Sequence, residues 1–167
     1  MKKHFKENWL IYATIATCAF IIALAIFIKK DDELEEVDTH LMNVVSLKEV
    51  LQFFEEDKPR LLILSVHDCQ ATVNYVPNLV IAAAKQEAAV NYLELSEIDP
   101  EKDIEDFNKF MQYLDYEYTF QGQTGPIRNF IENTPVNLII KNKKVVYAYI
   151  GSMGVNALES ILKLYGV

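Results

Sequence analysis

The sequence predicts an α/β domain, a mixed sheet flanked by helices, preceded by one N-terminal transmembrane helix. Three observations predict it. An apolar run without polar alternation occurs at Arg60–Val66, as in a central strand covered on both faces, and Asn91–Leu95 reads as a second central strand. Segments with apolar residues at helical spacing lie between and after them. Two further runs, Val136–Ile140 and Val145–Ile150, are joined by Lys141-Asn142-Lys143-Lys144, an antiparallel hairpin signal. A parallel half followed by a hairpin half gives a mixed sheet with helices on both faces.

The chain opens with a short basic segment, residues 1–8. The twenty residues from Trp9 to Ile28 carry no charge, the length that crosses a bilayer as a helix. Trp9 and Tyr12 suit one headgroup interface and Lys29-Lys30 the other. A cleaved signal peptide fits less well. The run exceeds the usual apolar core of roughly 7–15 residues, and Lys-Lys-Asp-Asp stands where a small-residue cleavage site belongs. Cys18 then reads as membrane filler. Three lysines precede the span and two follow it, which places the N-terminus inside and the C-terminal domain outside the cell membrane.

Residues 29–39 read as a charged juxtamembrane linker and 40–167 as the folded domain. From Asp31 onward 11 Lys+Arg face 23 Asp+Glu, a net charge of −12 that repels nucleic acid and anionic lipid. Cys69 is the single cysteine of that domain, so no intradomain disulfide and no cysteine-based metal cage is expected. His4, His40 and His67 lack ligand spacing, and Glu101, Asp103, Glu105 and Asp106 read as a solvated helix face without an acid-glycine loop. Neither metal nor cofactor is predicted.

In chain order, Leu41–Val45 suits an edge strand. Ser46 reads as an N-cap, with Glu49 completing a capping box, for an amphipathic helix over Ser46–Glu56 that Asp57-Lys58-Pro59 ends. After the Arg60–Val66 strand, a helix over Thr72–Ala89 contains Pro77, which should kink it. Asp99-Pro100 closes the Asn91–Leu95 strand. Ile104, Phe107, Met111 and Leu114 mark another amphipathic helix, and Tyr113–Gly125 reads as a loop. Beyond the hairpin, Gly151, Ser152 and Gly154 make a turn before a last helix through Leu158, Ile161, Leu162 and Tyr165. Cys69 stands where the buried strand hands over to a helix N-terminus, in the positive end of the helix dipole, a position that lowers a thiol pKa. His67 is close enough in sequence to tune it.

The element order and three local signals together resemble the thioredoxin fold over roughly residues 40–167. A cysteine stands at the strand–helix junction, Pro77 follows Cys69 by eight residues, and Thr134-Pro135 immediately precedes the hairpin, where that family carries a cis-proline. Thioredoxins carry Cys-x-x-Cys, whereas this chain reads Cys69-Gln70-Ala71-Thr72. The resemblance implies that Cys69 holds the place of the attacking thiol, Thr72 that of the resolving one, and that Thr134 and Pro135 contact a client strand beside His67 and Gln70. Without a second thiol, a mixed disulfide cannot be released by internal attack.

Two functional readings follow. One is a redox-inactive binding or accessory module for an exported peptide or a membrane assembly, pairing with an extended client. The other is monothiol thiol–disulfide exchange through Cys69, isomerase- or reductase-like. A membrane-anchored chain of this kind resembles the bacteriocin-transport accessory proteins of Gram-positive bacteria, whose members usually show a Cys-x-x-Cys-type site that this chain lacks. A thiol peroxidase is disfavoured, because Val66 stands where the peroxidase signature has Thr or Ser. The stretch at about 100–132 reads as an inserted helix and loop that shapes client choice.

Overall fold

The computed structural model describes residues 38–167. The basic segment at 1–8, the span expected at 9–28 and nearly all of the linker lie outside the described residues. Among those described, no helix is long and apolar enough to cross a membrane.

The elements run β1 (Asn43–Val44), α1 (Leu47–Phe53), β2 (Arg60–Ser65), α2 (Gln70–Lys85), β3 (Val90–Glu94), α3 (Ile104–Tyr113), β4 (Glu117–Phe120), β5 (Gln123–Pro126), β6 (Val136–Lys141), β7 (Lys144–Ile150) and α4 (Val155–Tyr165). Five strands form one sheet in the order β1-β3-β2-β6-β7. β2 is parallel to β3, with Ser65 level with Glu94, and antiparallel to β6, with Leu64 level with Val136. The expected mixed sheet is therefore present, with β2 at its centre.

Because side chains alternate along a strand, β2 feeds two cores. Leu62 and Leu64 join Leu138, Ile140, Val50, Phe54 and Phe110 on the face covered by α1 and α3. Leu61 and Ile63 join Tyr75, Leu79, Leu158 and Leu162 on the face covered by α2 and α4. The second face also buries Asn137, at 1% exposure. Its amide is fully engaged: Oδ1 accepts the Tyr75 hydroxyl at 2.8 Å, and Nδ2 donates to Tyr149 O at 3.2 Å and Gly151 O at 2.9 Å.

Local chemistry explains the ends of the elements. Ser46 and Glu49 form the expected reciprocal cap: Ser46 Oγ accepts the Glu49 N–H and the Glu49 carboxylate accepts the Ser46 N–H. Cys69 is the N-cap of α2, so that helix starts at Gln70, two residues before the expected Thr72, and stops at Lys85 short of Ala89. Glu87, at φ 54°, has left helical geometry. Pro77 sits inside α2 with its ring on the exposed side. Asn142 and Lys143, at φ 52° and 66°, form the two-residue β6–β7 turn with the left-handed geometry that the twist of such hairpins favours.

The loop expected over Tyr113–Gly125 is a correction. Glu117–Phe120 and Gln123–Pro126 pair as a two-stranded antiparallel ribbon, turned by Gln121 at φ 50° and Gly122 at φ 81°. Gln-Gly supplies the same left-handed pair that Asn-Gly usually does. The ribbon persists because its aromatic residues pack inward, with the Tyr118 and Phe120 rings 6.5 Å and 6.0 Å from the Phe130 ring.

Candidate active site

Three chain segments converge on Cys69. The turn after β2 carries it: the Cys69 N–H donates to Val66 O at 3.1 Å, and its own carbonyl accepts the N–H groups of Thr72 and Val73 at 2.9 and 3.0 Å, starting α2. The Thr134-Pro135 peptide bond is cis and stands opposite. The segment after β7 completes the enclosure, since Gly151 N–H donates to Pro135 O at 2.8 Å and Ser152 Oγ to Ala71 O at 3.2 Å.

The sulfur is half-buried. Thr134 Oγ1 donates to Cys69 Sγ at 3.2 Å, and Sγ lies 3.6 Å from Thr134 O. Partial burial pushes the Cys69 thiol up. The hydrogen bond from the Thr134 hydroxyl, with the polar groups of Thr72 and Ser65 close by, outweighs it, so the thiol lies below its ordinary range. The N-terminus of α2, a sixteen-residue helix, adds its positive end. The arrangement can hold a thiolate within reach of solvent.

Of the residues singled out from the sequence, Cys69, Thr72, Thr134 and Pro135 are brought together. Thr72 is fully buried, its hydroxyl 2.5 Å from that of Ser65. It faces inward from the first turn of α2. Gln70 and His67 are exposed on the turn. The bond His67 makes here is through its backbone N–H, to Glu94 Oε1 at 2.7 Å, a contact away from the sulfur. Ser65, Tyr92 and Glu94 were missed. The signal was present, since Tyr92 and Glu94 stand two apart in one strand and so share a face.

Beside Thr134 opens a groove of about 520 Å³. Val66, Leu95, Phe107, Met111 and Ile131 make its apolar wall, and Arg128 and Glu132 add charged groups to the lining. Helix α3 and the segment after the small ribbon thus reach the thiol's neighbourhood. Among the described residues no cluster of His, Cys, Asp or Glu is arranged to hold a metal ion.

No protein-family model matches the chain, and no curated protein sequence matches it. Solved structures do. A single-site mutant of the thioredoxin of Halobacterium salinarum NRC-1 superposes with a TM-score of 0.50 at 13% identity, covering 74% of this chain and 88% of its own. Thioredoxin from Aeropyrum pernix follows at 15% identity and 0.49, covering 72% and 85%. Oxidised thioredoxin from Plasmodium falciparum matches at 14% identity and 0.48, covering 75% and 99%. The halobacterial match assigns the described domain a thioredoxin-like fold. At 13% identity that likeness is one of fold.

Proposed function

We propose that the domain is a monothiol exchange module acting through Cys69 on an extended client peptide. The observation that carries this reading is the sulfur's setting: a half-buried thiol at a helix N-terminus, with the Thr134 hydroxyl donating to it at 3.2 Å. In the reaction, the Cys69 thiolate attacks one sulfur of a client disulfide. A Cys69–client disulfide forms, the client S–S bond breaks, and the departing client sulfur leaves as a thiolate that takes a proton from water. Release needs a second thiolate. If it is another cysteine of the client, the outcome is isomerisation with no net oxidation. If it is an external low-molecular-weight thiol, attack on the client sulfur returns Cys69 as thiolate and leaves the client in a disulfide with that thiol. Thr72, standing at the resolving position, has no part in covalent release; its buried hydroxyl pairs with that of Ser65.

The groove beside Thr134 receives the client residues that flank the attacked cysteine, with Phe107 and Met111 of α3 selecting apolar side chains. The segment at about 100–132 would thereby set client choice. The expected span at 9–28 would tether the domain to the outer face of the cell membrane. In that setting an exported peptide, as for the bacteriocin-transport accessory proteins that the chain resembles, is the proposed client.

The test is reaction of the full chain with a disulfide-bonded reporter peptide in glutathione buffer, with Cys69→Ser as the blank that subtracts any contribution of Cys18. Catalysed shuffling, with a trapped Cys69–peptide adduct when the external thiol is withheld, supports exchange. A Cys69 that neither forms the adduct nor labels at neutral pH overturns it. The second reading, a redox-inactive binding module, is favoured by one observation, the burial of Thr72 against Ser65 where a second thiol would be needed. It expects peptide binding that survives Cys69→Ser unchanged.

A further inference from the structure

Near the thiol, on the α2 face of the sheet, lies a buried carboxylate that the exchange chemistry does not use. Glu94, at the end of β3, is 7% exposed. A carboxylate is tolerated inside a fold where donors meet its charge, and three do so here. Oε2 accepts the Tyr92 hydroxyl at 2.8 Å, while Oε1 accepts the His67 backbone N–H at 2.7 Å and also the Ser96 hydroxyl. Tyr92 is itself buried, and burial followed by its bond to Glu94 holds the phenol above its ordinary range. Tyr92 therefore stays a donor.

The His67 bond is the informative one. β2 and β3 run parallel and end together at Ser65 and Glu94. Two residues beyond that end, the His67 N–H has no strand to pair with, and the Glu94 side chain supplies the acceptor the ladder no longer provides. The anchored residue lies inside the turn that the Cys69 N–H closes onto Val66 O at 3.1 Å. Position along this turn decides where the sulfur falls relative to the Thr134 hydroxyl.

We propose that Glu94 is a positioning residue for Cys69: by holding the His67 N–H it fixes the 66–69 turn so that the sulfur stays within reach of Thr134. Glu94 acts through the backbone and does not touch the reacting atoms. This role rests on the reading of Cys69 as a working thiolate.

The pH profile of Cys69 labelling by iodoacetamide tests it, in the full chain with Cys69→Ser as blank, using Glu94→Ala, Glu94→Gln and Glu94→Asp. Glutamine keeps a carbonyl oxygen in place for the His67 N–H without the charge; aspartate keeps the charge but draws the acceptor back by one methylene. Positioning expects the glutamine variant to follow the wild-type profile. The alanine and aspartate variants should label roughly three- to tenfold more slowly at pH 7, with the profile moved to higher pH. If the alanine variant does not fold, the glutamine and aspartate pair decides. A wild-type profile in the aspartate variant, with the glutamine variant displaced, would show that charge and not placement matters, and would overturn the proposal. So would a folded alanine variant with an unmoved profile. A wild-type thiol that labels only in the ordinary thiol range refutes the exchange reading and the role of Glu94 with it; an activated wild-type thiol with unmoved variants refutes the role of Glu94 alone.

Discussion

Thr134→Val removes the one hydroxyl that donates to Cys69 Sγ at 3.2 Å while keeping the side chain's shape. A hydrogen bond to a charged group contributes about 1.5–3 kcal/mol. The sulfur is half-exposed and a diffuse acceptor, so screening by water reduces that to about 1 kcal/mol. At a pH below the thiol's range, about 1 kcal/mol lowers the thiolate fraction roughly fivefold. The remaining thiolate becomes intrinsically more nucleophilic as its basicity rises, with a Brønsted slope of about 0.4–0.5, which recovers roughly twofold. Exchange with a small aromatic disulfide should therefore be about two- to threefold slower in the variant at low pH. Above the thiol's range, where both proteins are fully ionised, it should be about twofold faster. The two pH profiles must cross. Stopped-flow measurement between pH 5 and 10, again with Cys69→Ser as blank, checks this. Superimposable profiles would refute the claim that Thr134 activates the thiol. An equal loss at every pH would show that Thr134 only shapes the site.

Asn137→Ala leaves the Tyr75 hydroxyl and the Tyr149 and Gly151 carbonyls without their partner, a cost of about 2–4 kcal/mol, so the urea midpoint should fall with an unchanged slope. Ser46→Ala removes the N-cap of α1 and should cost about 1 kcal/mol, read as a drop of a few degrees in Tm. Burial raises the phenols of Tyr75 and Tyr92 above their usual 10, so both stay neutral in the folded domain. A group whose folded value is raised contributes stability present below its unfolded value and lost as pH rises through the folded one. Urea titrations at increasing pH should show stability falling above about 10, and Tyr75→Phe should flatten that fall. Cys69 is the opposite case, an acid depressed by its hydrogen bonds: its contribution is present above the unfolded thiol value and lost as pH falls through the folded one. The wild type should gain on Cys69→Ala as pH rises through the thiol range, compared by the same titrations.

Features set by near neighbours in the chain were readable in advance. The Ser46–Glu49 cap, the apolar β2, the β6–β7 turn and the strand-to-helix position of Cys69 each depend on residues within a few places of one another, and each stands where local rules put it. The β4–β5 ribbon was not readable, because Gln-Gly is a weak turn signal and the pairing depends on Phe130 arriving beneath Tyr118 and Phe120. The surroundings of the sulfur come from long-range packing. Thr134 reaches Cys69 across 65 positions and Glu94 reaches His67 across 27, contacts that exist only once β3, β2 and β6 lie side by side. A thiol at the head of a helix was legible in the chain, because helix starts and apolar periodicity are local. Whether that thiol is held as a thiolate depends on donors the fold carries in from afar, and their distances are a property of the assembled sheet.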